Sequence, residues 1–377
     1  MMHIVVAPDS YKGSVGAFQA AEAMKEGVTK AFPSANVTLL PMADGGEGTV
    51  ETLVYATGGS MQHVEVTGPL GKKVQGYYGV LGDGQTCVIE MAVASGLHLL
   101  HQEERNPLFT TTYGTGELIQ HALNAGYTRF ILGLGGSATN DGGAGMLQAL
   151  GVKLLDEQGV PLTFGGAALQ QLAHIDLTEF DARISQCEFL IASDVDNPFI
   201  GERGASYIFG PQKGATKDMV ETLDAALHHF ADCIEQTIHI RIHDMPGAGA
   251  AGGIGGAFLA FFPSTLRRGV DIIAETVQLE QYVTNADLVL TGEGQTDYQT
   301  KFGKAPMGVA QIAKRHGVDV IIISGSVGEQ VEELFPYGVR SVHSIMDRPM
   351  SLEYAMQHAT ELIAKCTEQI VRTYFRG

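Results

Sequence analysis

Cysteine is scarce in this chain: Cys87, Cys187, Cys233 and Cys366 are the only four in 377 residues, and no two form a C-x-x-C pair. That spacing suggests neither a disulfide framework nor a cysteine zinc site, and a reducing cytosol fits best. Positive charge is equally short. Twenty-four lysines and arginines stand against 42 aspartates and glutamates, a formal net charge of −18. The chain therefore lacks the field that nucleic acid or an anionic membrane requires, and any anionic substrate must be held by local groups. The opening Met1-Met-His-Ile-Val-Val has no basic flank and too short an apolar run for a signal peptide. One stretch, Met245 to Leu266, is uncharged for long enough to span a bilayer. Prolines bound it and glycine and alanine fill its first half, so a loop entering a buried helix is the expectation. The thirteen histidines show neither H-E-x-x-H nor another ligand spacing, and no metal is assigned to them.

What the chain has in quantity is glycine, 48 residues set among short apolar runs that alternate with helical patterns. Ile4 to Ala7 precedes a helix expected to be capped by Ser14, and Val37 to Leu40 precedes one from about Glu47. Asp287 to Leu290 and Val318 to Ser324 flank a helix beginning near Ala305, and Leu352 to Tyr374 reads as one closing amphipathic helix. This is the α/β pattern of a parallel sheet with helices on both faces. Between His63 and Met91 the texture changes to successive strands without helices, an antiparallel hairpin or meander. The expected organisation is one α/β domain built from 1–61 and 285–377, with a second α/β domain, 62–284, inserted. The runs Phe130 to Leu134 and Glu188 to Ala192 suit either sheet.

The strands tend to end in small, polar or acidic residues. "APDSYKGS", "PMADGGEGT", "GLGGSATNDGG", "ASDVDNP" and "TGEGQTD" each follow an apolar run. Ligands of open α/β sheets bind outside the carboxyl ends of strands, so these loops are the expected site, with glycine amides for phosphate and carboxylates for magnesium. No lysine closes the 133–145 loop as in a P-loop. Lys12, Lys213 and Lys304, each beside glycine, are the candidate cations. A competing pattern is Gly133-x-Gly135-x-x-Ala138 with Asp156 some twenty residues on, the layout of a dinucleotide fold and hence of a nicotinamide-dependent oxidoreductase. Ser137-Ala-Thr-Asn-Asp places hydroxyls, an amide and a carboxylate where a pyrophosphate wants backbone, which favours a ligand carrying metal and hydroxyls. A nucleotide sensor without turnover would share these loops.

Taken together, "APDSYKGS", "PMADGGEGT", "TGPLG", "GLGGSATNDGGAGMLQALG", "SDVDNPFIGERGASYIFGPQKGA", "PGAGAAGGIGG" and "LTGEGQTDYQTKFGKAP" closely resemble the bacterial class I glycerate kinase family. The resemblance implies ATP-dependent phosphorylation of glycerate, D-glycerate at the 2-position. It also implies a discontinuous Rossmann-like or flavodoxin-like domain with an inserted domain of different α/β topology. Asp194 is then the expected proton acceptor and Lys213 the catalytic cation. Asp9, Ser10, Lys12, Ser14, Asp44, Gly45, Gly46, Glu47, Asp196 and Asn197 are candidates for binding glycerate. Gly135, Gly136, Ser137, Thr139, Asn140, Gly249, Gly252 and Lys304 are candidates for the nucleotide. Asp141, Glu293 and Asp297 are candidates for Mg2+, Asp141 having a helix cap as its alternative role.

Overall fold

The computed structural model describes residues 2–375, and the chain divides into two compact units. Unit 1 is Met1–Asp44, Glu51–Gly58 and Arg268–Gly377; unit 2 is Gly45–Val50 and Gly59–Arg267. The second break thus falls well before position 284. Helices Gly269–Thr276 and Leu279–Val283 belong to unit 1, where a Cβ on Gly308 would stand 2.3 Å from Val270 Cγ2. In chain order the strands are β1 (His3–Val6), β2 (Asn36–Leu39), β3 (Ser60–Thr67), β4 (Lys73–Val80), β5 (Thr86–Glu90), β6 (Arg129–Gly133) and β7 (Lys153–Leu155). There follow β8 (His174–Asp176), β9 (Glu188–Ala192), β10 (Ser264–Arg267), β11 (Leu288–Thr296), β12 (Val320–Val327) and β13 (Val339–Ser344).

Unit 1 holds a sheet in the order β13-β12-β11-β1-β2, with every neighbouring pair parallel. Counted within the unit this is the doubly wound order 2-1-3-4-5, the flavodoxin-like arrangement. Consecutive residues Ile4, Val5 and Val6, and again Leu288, Val289 and Leu290, are all buried, because helices cover both faces and leave no face for polar alternation. Helix Ala17–Ala31 crosses the last helix, Ala359–Tyr374, so closely that a Cβ on Gly27 would meet the Ala364 carbonyl oxygen at 2.3 Å. Two local expectations are corrected. Gly16, not Ser14, is the N-cap of Ala17–Ala31, and Ser14 Oγ donates instead to the Met356 carbonyl at 2.7 Å. The closing segment is two helices, Leu352–Gln357 and Ala359–Tyr374, because His358 leaves helical geometry at φ −111°, ψ 17°.

Unit 2 has a mixed sheet in the order β10-β9-β6-β5-β4-β3. Strands β3, β4 and β5 form an antiparallel meander, while β5, β6, β9 and β10 run parallel. The two runs that suited either sheet are neighbours here: Phe130 on β6 pairs with Phe189 on β9, their rings stacked with centroids 4.7 Å apart. Phe258, from the buried helix Ile254–Phe261, and Phe262 complete this aromatic core. Strands β7 and β8 form a separate antiparallel pair. Among the described residues no helix is long and apolar enough to cross a membrane.

Candidate active site

In unit 1 the sheet changes its direction of growth between β1 and β11, and such a switch point leaves a crevice outside the strand ends. Backbone pairing continues past the end of β1. The Asp9 amide donates to the Gly292 carbonyl at 2.8 Å, and Thr291 Oγ1 donates to the Ala7 carbonyl at 2.7 Å. Asp9 and Glu293 are thereby set on adjoining strand ends. They line a cleft of about 670 Å³ together with Ser10, Lys12, Ser14, Asp44 and Lys304.

The charges in this cleft are unevenly matched. Asp9 is only 7% exposed and accepts a hydrogen bond from the Ser10 amide at 2.6 Å. Burial, and then the charge of Asp44, pushes its carboxyl up to about 7. Lys12 Nζ lies 3.7 Å from Asp44 Oδ2, and that carboxylate pushes the ammonium up. Glu293 is committed within the protein. The hydroxyls of Thr296 and Thr300 donate to its Oε1 at 2.9 and 2.7 Å, and Lys304 Nζ is 3.1 Å from its Oε2. Burial still raises its carboxyl. Lys304 is the N-cap residue of Ala305–Arg315, ahead of Pro306 in the first turn. The mutual repulsion of Asp9 and Asp44, with hard oxygen donors, fits a divalent cation. Asp297 does not line the cleft: its Oδ1 accepts from the Gln299 amide at 2.8 Å and caps the turn Tyr298–Phe302. The cleft also has an apolar lining that the sequence reading missed, from Ile345, Met346, Met350, Leu352 and Met356; Met356 lies beside the loop after β1, where its carbonyl accepts from Ser14 Oγ at 2.7 Å. The available signal for this lining was the cluster of methionines just after a strand end.

In unit 2 the 133–145 loop is largely interior. Ser137, Thr139, Asn140 and Asp141 are buried, and of the two candidate glycines Gly135 is half-buried and Gly136 exposed. Asp141 Oδ2 accepts from the Thr112 amide at 2.8 Å, the Thr112 hydroxyl at 2.9 Å and the Gly145 amide at 3.2 Å, while Oδ1 accepts from the Gly143 amide at 3.2 Å. Both oxygens thus accept from internal donors, at Thr112 and at the start of the helix Ala144–Ala149, the part a helix cap plays. Lys213 is also interior, 1% exposed, and its Nζ donates to the Thr139 carbonyl at 2.7 Å. Burial pushes its ammonium down to about 7 against the opposing charge of Asp141. Thr139 Oγ1 and Asn140 Oδ1 are buried without a hydrogen-bond partner, whereas Asn140 Nδ2 donates to Ser206 Oγ at 2.9 Å.

At four of the glycines expected to admit an anion, the place of a side chain is filled by neighbouring atoms of the protein. A Cβ on Gly135 would meet Gly46 Cα at 2.7 Å, one on Gly45 would meet Ala192 Cβ at 2.8 Å, and one on Gly249 would meet the Pro198 carbonyl oxygen at 2.2 Å. Gly252, at φ +74°, would bring its Cβ to 1.9 Å from the Thr139 carbonyl oxygen. Asp194 is exposed on the loop after β9, and Glu47 is exposed as well. Asp196 lies 3.7 Å from Arg203, and Asn197 Nδ2 donates to the Arg203 carbonyl at 2.7 Å, so this loop closes on itself.

The dinucleotide layout fails at its acidic residue. Asp156 Oδ1 accepts from the Gln158 and Val160 amides at 2.9 Å each, a turn after β7, and β7 lies outside the parallel sheet. The fingerprint on which the oxidoreductase reading rested is therefore not supported. A histidine grouping was also missed: Asp232 bridges His228 Nδ1 at 3.2 Å, one turn away on the helix Lys217–Ile238, and His243 Nε2 at 2.9 Å, which the loop after that helix brings in.

Comparison with known proteins agrees with this architecture. The glycerate kinase family matches residues 4–375. A Bacillus subtilis glycerate kinase is 50% identical over 98% of this chain and 97% of its own length. An Escherichia coli glycerate 2-kinase is 47% identical over 100% and 99%. A crystal structure from Salmonella typhimurium LT2, itself assigned provisionally as glycerate kinase 2, has a TM-score of 0.90 and 49% sequence identity, covering 99% of this chain and 98% of that one. With the match running from the first strand to the last helix, the chain belongs to the glycerate kinase family and is a kinase.

Proposed function

We propose that the chain transfers the terminal phosphoryl group of ATP to the 2-hydroxyl of D-glycerate with magnesium, in a reducing cytosol. The observation that carries this reading is the switch-point cleft of unit 1, where Lys12 and Lys304 stand among Asp9, Asp44 and Glu293 in a chain of this family. The 47% identical relative named glycerate 2-kinase supports the 2-position. Four free cysteines without a disulfide suit the compartment.

In the reaction the glycerate hydroxyl oxygen attacks the terminal phosphorus in line, the bond from that phosphorus to the bridging oxygen of ADP breaks, and the hydroxyl proton passes to a carboxylate. Asp194, exposed at the end of β9, is the acceptor in this proposal. Magnesium supplies charge neutralisation of the phosphates when bound, and Asp9 and Asp44 would hold it. Lys12 and Lys304 offset anionic substrate groups, while Lys213 acts indirectly by holding the Thr139 carbonyl and with it the shape of the glycine loop.

The test is incubation of the purified chain with ATP, magnesium and each glycerate enantiomer, followed by phosphorus NMR and mass analysis of the product. The expected product is 2-phosphoglycerate from the D form. A 3-phosphorylated product would reassign the position. No phosphorylated product from either enantiomer would remove the reading.

A further inference from the structure

The unit 1 cleft is lined by two unlike groups of residues. One is charged and lies at the ends of β1, β2 and β11: Asp9, Lys12, Asp44, Glu293 and Lys304. The other is apolar and follows β13: Met346 is 41% exposed and Leu352 73%, with Met350 and Met356 half-buried beside them. Exposed apolar side chains grouped in the lining of a cleft indicate a ligand face. Gly294 and Gly325 line the cleft as well, and a Cβ on Gly325 would stand 2.5 Å from the Gly294 carbonyl oxygen.

Glycerate, a three-carbon acid with a polar group on every carbon, has no surface to bury against methionine and is far too small for about 670 Å³. A nucleoside triphosphate has a flat aromatic end and an anionic end, the same division as the cleft. Thioethers are polarisable and adapt to an aromatic face. The geometry points to this cleft as the nucleotide subsite, with the base packed on Met346, Met350, Leu352 and Met356 and the phosphates directed to Lys12 and Lys304. This assignment rests on the kinase reading above and moves the nucleotide from the unit 2 glycine loop to unit 1.

The test uses the full chain and isothermal titration with two probes, ATP and inorganic tripolyphosphate, each with magnesium. Variants are Met350→Ser and, because Leu352 is mostly exposed and its replacement leaves folding intact, Leu352→Ser. Loss of base packing is expected to weaken ATP roughly tenfold or more while tripolyphosphate binding and the glycerate KM stay within about twofold. ATP affinity equal to wild type in both variants would overturn the assignment, as would equal weakening of ATP and tripolyphosphate. A raised glycerate KM with unchanged ATP binding would give the cleft to the acceptor. Wild-type turnover is measured alongside: product from ATP and glycerate with no effect of the variants sinks only the subsite, whereas absence of product sinks the kinase reading itself.

Discussion

Lys213 Nζ donates to the Thr139 carbonyl at 2.7 Å in the interior of unit 2, with Asp141 the opposing charge. A lysine that the sequence offers as a phosphate contact is thus buried against the glycine loop. Its ammonium, pushed down to about 7 by burial, ties stability to pH. Between that value and the ordinary lysine range the unfolded chain holds a proton that the folded chain has released, so stability rises with pH. Lys213's contribution is complete above the ordinary lysine value and is lost as pH falls through about 7.

The first prediction follows directly. Urea unfolding of wild type and Lys213→Met from pH 7 to pH 10 should show wild type gaining on the variant by up to about 1.4 kcal/mol per pH unit. A difference independent of pH would mean that Lys213 keeps its proton in the folded chain.

Gly252 supplies the second. Alanine there meets the Thr139 carbonyl oxygen at 1.9 Å and must hold φ +74°, whereas Gly201, at φ +86°, has nothing within 4 Å of its Cβ position. Gly252→Ala should cost roughly 2–4 kcal/mol and Gly201→Ala about 1 kcal/mol, the part due to φ alone. Equal losses in urea denaturation would show that the two loops do not touch as described.

Asp194 carries the third. Asp194→Asn keeps the size and hydrogen-bonding shape of an exposed side chain, so the melting temperature should hold while kcat falls by roughly two to four powers of ten. If kcat stays within a few-fold, the hydroxyl proton goes elsewhere, and Asp9 is the next carboxylate to replace.

The fourth concerns the cation. Turnover should vanish in excess chelator and return with magnesium, and magnesium alone should raise the melting temperature by relieving the repulsion between Asp9 and Asp44. Asp44→Asn should shrink that thermal shift. Full activity in chelator would exclude a required metal.

The sequence by itself determined the elements that depend on local pattern. Runs such as Ile4 to Ala7 and Phe130 to Leu134 are strands because consecutive apolar side chains need cover on both faces, and the helix from Ala305 is marked by Lys304 ahead and Pro306 in the first turn. The family was legible for the same reason: its motifs are contiguous strings. Spatial neighbours are not contiguous. Whether a glycine serves an anion or a crossing backbone is decided by what lies opposite, as the Thr139 carbonyl lies opposite Gly252. Whether Asp141 binds metal depends on donors brought from Thr112, and whether Lys213 meets solvent depends on how its turn packs on the loop. The methionine lining of the unit 1 cleft is the extreme case. In sequence Met346 to Met356 is the approach to an amphipathic helix; only the parallel placement of β13 in the sheet brings it to the same cleft as Asp9 and Lys304. Local preference acts over a few residues, while a site is made by contacts between segments hundreds of residues apart, and those are settled by packing.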